Sequence, residues 1–334
     1  MATVFITGGT GLIGANICRR LRERGDEVRA LVRPGSAYEP LRELGVVPVE
    51  GDITSGEEVL AAAKDAEFTV HSAAVLGGAS QDLEEHARVN TLGLRHVLDA
   101  AAAVGCRRTV ALGTTTYFDY TTAPLTEDSP LLDDPPSDPY TVSKRAAFVE
   151  LMRRARDGQD ACVVIPGGTF GPSPVSGRAM QAPSYNLRIK LALERAIAAT
   201  VYFPIPWSYA DDVAAVTVAA LDRGIAGEKY LAFASPDDVC STAQFLNRAC
   251  ELAGSDHRVV DLTAKELDAD PQLQRANGPS LVALAHRRFP EPYYTDTLTR
   301  ARLGHTPLRL EEGLRRTLAW LEDTGALESG GAPR

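Results

Sequence analysis

Residues 2–14 read ATVFITGGTGLIG. The apolar run up to Thr7 reads as a short buried strand, and Gly8, Gly11 and Gly14 follow at once in a GxxGxxG spacing. From Leu12 to about Arg24 apolar residues return at helical spacing, and Gly25 ends that helix. Three glycines between a strand and a helix have distinct physical uses. The first permits a tight turn, the second lets the backbone approach a diphosphate, and the third lets helix and sheet pack closely. The free N–H groups at the helix start then point at the anion. Gly8, Gly11, Leu12, Ile13 and Gly14 are therefore the expected diphosphate site for a dinucleotide, with a ligand-free glycine turn as the plainer alternative.

Outward from this junction the text keeps alternating. EVRALV (27–32) is the second expected strand, and GVVPVEG (45–51) the third, with Pro48 arguing for an edge or irregular position. AEFTVHSA (66–73) is the fourth, followed by a long helix over 83–104. CRRTVALG (106–113) and QDACVVIPGG (159–168) complete six strands. Apolar strands separated by helices indicate an α/β chain with a Rossmann-type, doubly wound parallel sheet. After Pro166 the rhythm weakens. GTFGPSPVSGRAMQAPS (168–184) is too broken for one element, whereas helical text returns at 186–199, 209–224 and 309–323, and GEKYLAFA adds a strand. The expected division is a dinucleotide-binding domain over 1–166 and a mainly substrate-binding lobe over 167–334. Residues 209–224 are expected to pack back on the core, so that the smaller lobe is partly interleaved with it. TGALESGGAPR at the end reads as a frayed tail.

Charge narrows the partners. The formal net charge is −9, with no run of Lys and Arg, which argues against nucleic acid and anionic membrane. Cys18, Cys106, Cys162, Cys240 and Cys250 are scattered, odd in number and without a CxxC pair, as expected of reduced core thiols. MATVFITGG runs straight into a strand, so neither export nor a membrane span is expected, and a cytoplasmic location follows. The six histidines lack metal-ligand spacing, and no metal site is expected. A small molecule is the expected partner, with a homodimer left open.

Two further stretches bear on chemistry. An NAD-binding chain carries a carboxylate at the end of its second strand to take the ribose. Here ALVRP places Val32 there and Arg33 next, which points to NADP(H) in preference to NAD(H). PYTVSK (139–144) puts Tyr140 and Lys144 one helical turn apart, on one face. A phenol has an ordinary pKa near 10 and is a poor acid–base at neutral pH; a neighbouring ammonium favours its ionised form. Asp211 and Asp212 read most simply as first-turn residues of a helix. Tyr202, Phe203, Trp207 and Tyr209 are divided between a pocket wall and core packing.

Taken in order, TGGTGLIG, GDI (51–53), HSAA (71–74), NTLG (90–93), PYTVSK, FGP (170–172), YADDVA (209–214) and LGHTPLRLEEGLRRTLAW (303–320) resemble the extended short-chain dehydrogenase/reductase family over nearly the whole chain. ERGDEVRALVRP is similar to its dihydroflavonol-reductase and 3β-hydroxysteroid-dehydrogenase branch. The resemblance implies that Asp52 and Ile53 flank the adenine, that Ala73 lies near the cofactor, and that Tyr140 and Lys144 also contact it. It implies a catalytic set of Thr115, Tyr140 and Lys144. Thr115 is found by counting 25 places back from the tyrosine, with Thr114 as the fallback within ALGTTTYFDY. The family's usual tyrosine–glycine ending of that segment is replaced by Phe118 and Asp119, and Thr116 and Tyr117 stand where a dehydratase carries two acids. The implied activity is NADP(H)-dependent hydride transfer at a ketone, aldehyde or secondary alcohol. The alternatives are a nucleotide-sugar epimerase with tightly bound NAD and a dinucleotide-binding protein without turnover.

Overall fold

A computed structural model describes residues 1–327, and residues 328–334 of the expected tail lie outside the described residues. The first half runs β1 (Thr3–Thr7), α1 (Leu12–Glu23), β2 (Glu27–Val32), α2 (Glu39–Glu43), β3 (Val47–Glu50), α3 (Gly56–Ala62), β4 (Phe68–His71), α4 (Leu83–His86), a π-helical turn (Ala87–Leu92), α5 (Gly93–Ala103), β5 (Arg108–Leu112), α6 (Pro139–Arg156) and β6 (Ala161–Pro166). The second half adds β7 (Gly168–Phe170), α7 (Ser176–Ala179), α8 (Tyr185–Leu193), β8 (Ala199–Val201), β9 (Trp207–Tyr209), α9 (Ala210–Arg223) and β10 (Lys229–Ala232). After a 3-10 turn come α10 (Thr242–Leu252), β11 (Val260–Leu262), α11 (Ala264–Ala269), α12 (Pro271–His286), α13 (Thr297–Leu303) and α14 (Leu310–Asp323).

Seven strands form one parallel sheet in the order β10-β6-β5-β4-β1-β2-β3. Val4, Phe5 and Ile6 of β1 and Val70 of β4 are fully buried, as strands covered on both faces must be. Ala15, Ile17, Cys18 and Leu21 carry α1 onto one face. Val59, Ala62, Val97 and Ala100, from α3 and α5, cover the other. The strand order reverses between β1 and β4, and such a reversal opens a crevice at the carboxyl ends of the strands. Pro48 lies in β3, at the sheet edge, where a missing N–H is tolerated.

The second half of the chain is interleaved with this core. β10 extends the main sheet beside β6, and α9 packs along α1. Asp211, at the start of α9, accepts from Arg20 Nε (2.6 Å) and Nη2 (2.7 Å) and also pairs with Arg19. Asp212 accepts from the Leu308 amide at 2.7 Å. These two first-turn carboxylates tie segments together. A separate core gathers Phe170, Trp207, Phe245, Leu314 and Leu318 under α8, α10 and α14. Trp207 stacks on Phe245 with ring centroids 3.8 Å apart and donates to the Cys240 carbonyl, so it and buried Tyr209 are core residues, whereas Tyr202 is exposed.

One expected element is broken. The helix anticipated over 83–104 is interrupted by the π-helical turn, and Asn90 within it turns its side chain to another segment. Its Oδ1 accepts from the Val75 amide at 2.8 Å, and its Nδ2 donates to the Val75 carbonyl at 3.1 Å. Such turns recur at functional sites.

The loop between β5 and α6 is anchored by a buried carboxylate. Glu127, 5% exposed, accepts from the amide (2.9 Å) and hydroxyl (2.7 Å) of Thr299 at the start of α13. Replacing Glu127 with alanine leaves both donors unpaired, which costs about 1–3 kcal/mol. The unfolding free energy is expected to fall by that amount, seen as a lower urea midpoint at an unchanged slope; an unshifted midpoint contradicts the anchoring role.

Candidate active site

The glycine turn is packed against bare backbone. Gly8 has φ 75°, and a Cβ there would lie 2.5 Å from the Ala73 nitrogen and 2.6 Å from the Ser72 carbonyl carbon. Gly11 donates to the Gly8 carbonyl at 3.0 Å, and a Cβ on Gly14 would strike that same oxygen. The turn after β1 thus sits directly on the segment after β4, at the point where the strand order reverses. Gly11 caps α1 with no side-chain hydrogen bond, and the first turn of α1 holds no acidic residue. Such a helix start fits a diphosphate, since its leading N–H groups lack intrahelical partners and no carboxylate repels the ligand.

Residues expected around the adenine line the next strand ends. Asp52 is exposed and Ile53 buried. Asp52 accepts from the amide (2.8 Å) and hydroxyl (2.9 Å) of Thr54. Its carboxyl lies below the ordinary range, first through the Thr54 amide and also through the charges of Arg33 and Arg88. Arg33 is exposed, with Asp52 as a charged neighbour. Beneath the crevice, His71 shares a 2.8 Å hydrogen bond with Thr7, and burial together with the charge of Lys144 pushes its pKa down to about 3. His71 is therefore a neutral structural residue.

The start of α6 carries Tyr140 and Lys144, the residues expected to manage the proton. Asp138 caps the helix by accepting from the Thr141 amide at 2.9 Å, Pro139 occupies the first turn, and Tyr140 follows. Lys144, 8% exposed, donates from Nζ to the carbonyl of Leu112, the last residue of β5, at 2.7 Å. Burial brings its pKa down from 10.5 to about 8. The Tyr140 phenol is raised by burial, and hydrogen bonding from the Thr114 side chain opposes that rise. Lys144 gives one of its three donors to a carbonyl, and the Thr114 side chain acts on the phenol in the expected direction. Thr114 is 8% exposed, Thr115 is half-buried, and the Thr116 hydroxyl is buried without a partner. Counting from Tyr140 points to Thr115, with Thr114 as the fallback; of the two, Thr114 is the one whose side chain acts on the phenol's pKa.

Other residues support Tyr140: Asn90, expected either to hold backbone near the site or to be merely structural, and His86, which the sequence pattern did not mark. Val75–Ser80 forms a strap across Tyr140: a Cβ on Gly77 would lie 3.4 Å from the ring. Fully buried His86 holds the strap through the Ser80 carbonyl at 3.2 Å and meets the Tyr140 ring edge-on, with centroids 6.4 Å apart. Asn90 donates to Ser143 Oγ at 3.0 Å, and Ser143 donates to the Tyr140 carbonyl at 3.0 Å. The His86–Asn90 offset of four was the available signal, hidden in ordinary helical text. Across the crevice, Asn16 of α1 donates to the Pro172 carbonyl at 2.9 Å, and Pro183 lies 3.8 Å from a Cβ placed on Gly78. The broken segment 168–184 therefore spans from α1 to the strap.

Glycine turn, reversed strand order and Tyr140–Lys144 together define a dinucleotide-dependent oxidoreductase-type enzyme. The chain belongs to the NAD dependent epimerase/dehydratase family, whose sequence model matches residues 4–232. It is 31% identical to a putative dihydroflavonol 4-reductase of Synechocystis over 238 residues, 68% of this chain and 66% of the relative. It is 26% identical to the 2-alkyl-3-oxoalkanoate reductase of Stenotrophomonas maltophilia over 336 residues, 95% and 98% of the two chains. Similar solved structures share the fold at lower identity. Bordetella bronchiseptica WbmH with NAD+ superposes with a TM-score of 0.74 at 22% identity, covering 97% of this chain and 100% of the other. The dTDP-glucose 4,6-dehydratase DesIV of Streptomyces venezuelae, with NAD and TYD bound, gives 0.75 at 21%, covering 98% and 99%. The UDP-glucuronic acid 4-epimerase of Bacillus cereus, with UDP-glucuronic acid and NAD, gives 0.74 at 16%, covering 96% and 99%.

These structures overturn the expected preference for NADP(H): each of the three holds NAD. In this chain the charge of exposed Arg33 falls on the Asp52 carboxylate and helps to hold it below its ordinary range. Among the described residues no helix is long and apolar enough to cross a membrane.

Thr114 and Thr115 are separable without a substrate. Because Thr114 lowers the phenol's pKa, Thr114→Val is expected to raise the Tyr140 titration midpoint, followed by NMR on ring-labelled tyrosine, while Thr115→Val leaves it in place. A shift in the second variant and none in the first reverses the assignment.

Proposed function

We propose that this chain transfers a hydride between NAD(H) and the carbinol or carbonyl carbon of a small molecule. The observation that carries the proposal is the meeting of Thr114, Tyr140 and Lys144 at the same strand ends as the glycine turn. Gly8, Gly11, Leu12, Ile13 and Gly14 would hold the diphosphate, Asp52 and Ile53 the adenine, and Ala73, Tyr140 and Lys144 the nicotinamide side. NAD, when bound, supplies the hydride acceptor, and NADH the donor.

The chain's own part is to manage one proton and one oxygen. In the reducing direction the Tyr140 phenol protonates the developing alkoxide, and in the oxidising direction its phenolate takes the alcohol proton. Thr114 donates to the same substrate oxygen and steadies its negative charge. Lys144 supplies a buried positive charge one helical turn from the phenol, which favours phenolate. With a pKa of about 8, it loses that charge as pH rises through this value. The strap at Val75–Ser80 fixes the plane of the Tyr140 ring, and segment 168–184 keeps water from the crevice.

This chemistry takes two forms, each with separate support. In a sugar-nucleotide epimerase, NAD stays bound, the alcohol is oxidised, and the ketone is reduced on its other face; the NAD-bound epimerase and dehydratase structures favour this form. In a net reductase or dehydrogenase, of the dihydroflavonol-reductase or 3β-hydroxysteroid-dehydrogenase kind, cofactor exchanges at every turnover; the sequence relatives named as reductases favour this one. The mass and absorbance of cofactor carried through purification decide between them. Retained NAD with no net NADH consumption marks the epimerase, and stoichiometric NADH consumption by a ketone marks the reductase.

Both forms require the phenol. Tyr140→Phe is expected to keep NAD binding, measured by calorimetry, and to lower turnover at least ~100-fold. Full turnover by that variant contradicts the proposal.

A further inference from the structure

Selection of NAD over NADP lacks its usual seat in this chain. A carboxylate at the end of the second strand ordinarily takes the ribose 2′-hydroxyl and refuses a 2′-phosphate. Val32 stands there, 3% exposed and packed into the core. The parallel register pairs Val32 with Glu50, the last residue of β3. Paired strands run about 4.8 Å apart, so the carboxylate missing from β2 is supplied one strand over, at the same height.

Glu50 is exposed, but its direction is fixed. The Tyr38 hydroxyl donates to its Oε1 at 3.0 Å, and Tyr38 itself packs against the apolar core that covers β2. This leaves the second carboxylate oxygen available. Of the nearby cations, Arg42 pairs with Glu39 at 3.6 Å and lies over the Tyr38 ring, and exposed Arg33 is not paired with Glu50. Among the described residues Glu50 makes no ion pair. Its carboxylate therefore has no ion-pair partner at the end of β3, beside the end of β2.

We infer that Glu50, oriented by Tyr38, is the specificity-determining residue that admits the free ribose of NAD and repels the 2′-phosphate of NADP. This rests on the NAD(H) reading above. A phosphate with about two negative charges at ~6 Å from a carboxylate is repelled roughly 10-fold even at the dielectric constant of water.

The test is equilibrium binding of NADH and NADPH, followed by nicotinamide fluorescence, to the parent and to Glu50→Gln. The parent is expected to bind NADH more tightly. Glu50→Gln is expected to lower the ratio of the NADPH and NADH dissociation constants about 10-fold, chiefly by tightening NADPH. Glu50→Lys, which reverses the charge, lowers it further. Salt narrows the parent's ratio by screening and leaves that of Glu50→Gln unchanged. A parent that binds NADPH as tightly as NADH contradicts the NAD(H) reading itself. A ratio within twofold of the parent's in both variants overturns the part given to Glu50, whichever cofactor the parent prefers.

Discussion

The contact between Gly8 and the backbone of Ser72 and Ala73 is the constraint on which the site depends. Two parallel strands run side by side, and the chain leaves them in opposite senses across the sheet. With no side chain at Gly8, the two departing segments touch, and with none at Gly14 the helix start lies down on the turn. That closeness sets the amide-bearing end of α1 beside the segment after β4. The same β4 segment continues into the strap at Val75–Ser80, which Asn90 and His86 hold over Tyr140. Dinucleotide turn and acid–base residue are thus linked through a chain of short contacts across β4.

Electrostatics at the strand ends follow from burial more than from pairing. Lys144 has no carboxylate partner among the described residues; its ammonium is met by a backbone carbonyl and loses part of its affinity for the proton. Its charge helps to keep His71 neutral. Some carboxylates elsewhere join segments: Asp211 pairs with Arg19 and Arg20, and Asp160 with Arg108. The ionisable groups that bear on the crevice are few, which suits a reaction that moves one hydride and one proton.

The sheet was legible because its strands are buried on both faces and read as unbroken apolar runs set off by glycines. The glycine turn, Tyr140 and Lys144 were legible because their spacing is local. What the sequence hid depends on contacts between distant residues. The π-helical turn holds Asn90, whose bonds to Val75 no helical periodicity records. The choice between Thr115 and Thr114 rested on counting along a loop, and burial and the influence of Thr114 on the phenol are not written in that count. Val32 and Arg33 suggested a phosphate site because only β2 was in view; Asp52 and Glu50 come from the neighbouring strand and its loop.

A crystal structure with NAD+ tests the central claim most directly, because it locates both ends of the dinucleotide in one experiment. The diphosphate is expected on the amides that follow Gly11, with the nicotinamide ring beside the hydroxyls of Thr114 and Tyr140. A dinucleotide whose nicotinamide lies away from Tyr140, or whose diphosphate does not touch the start of α1, contradicts the account.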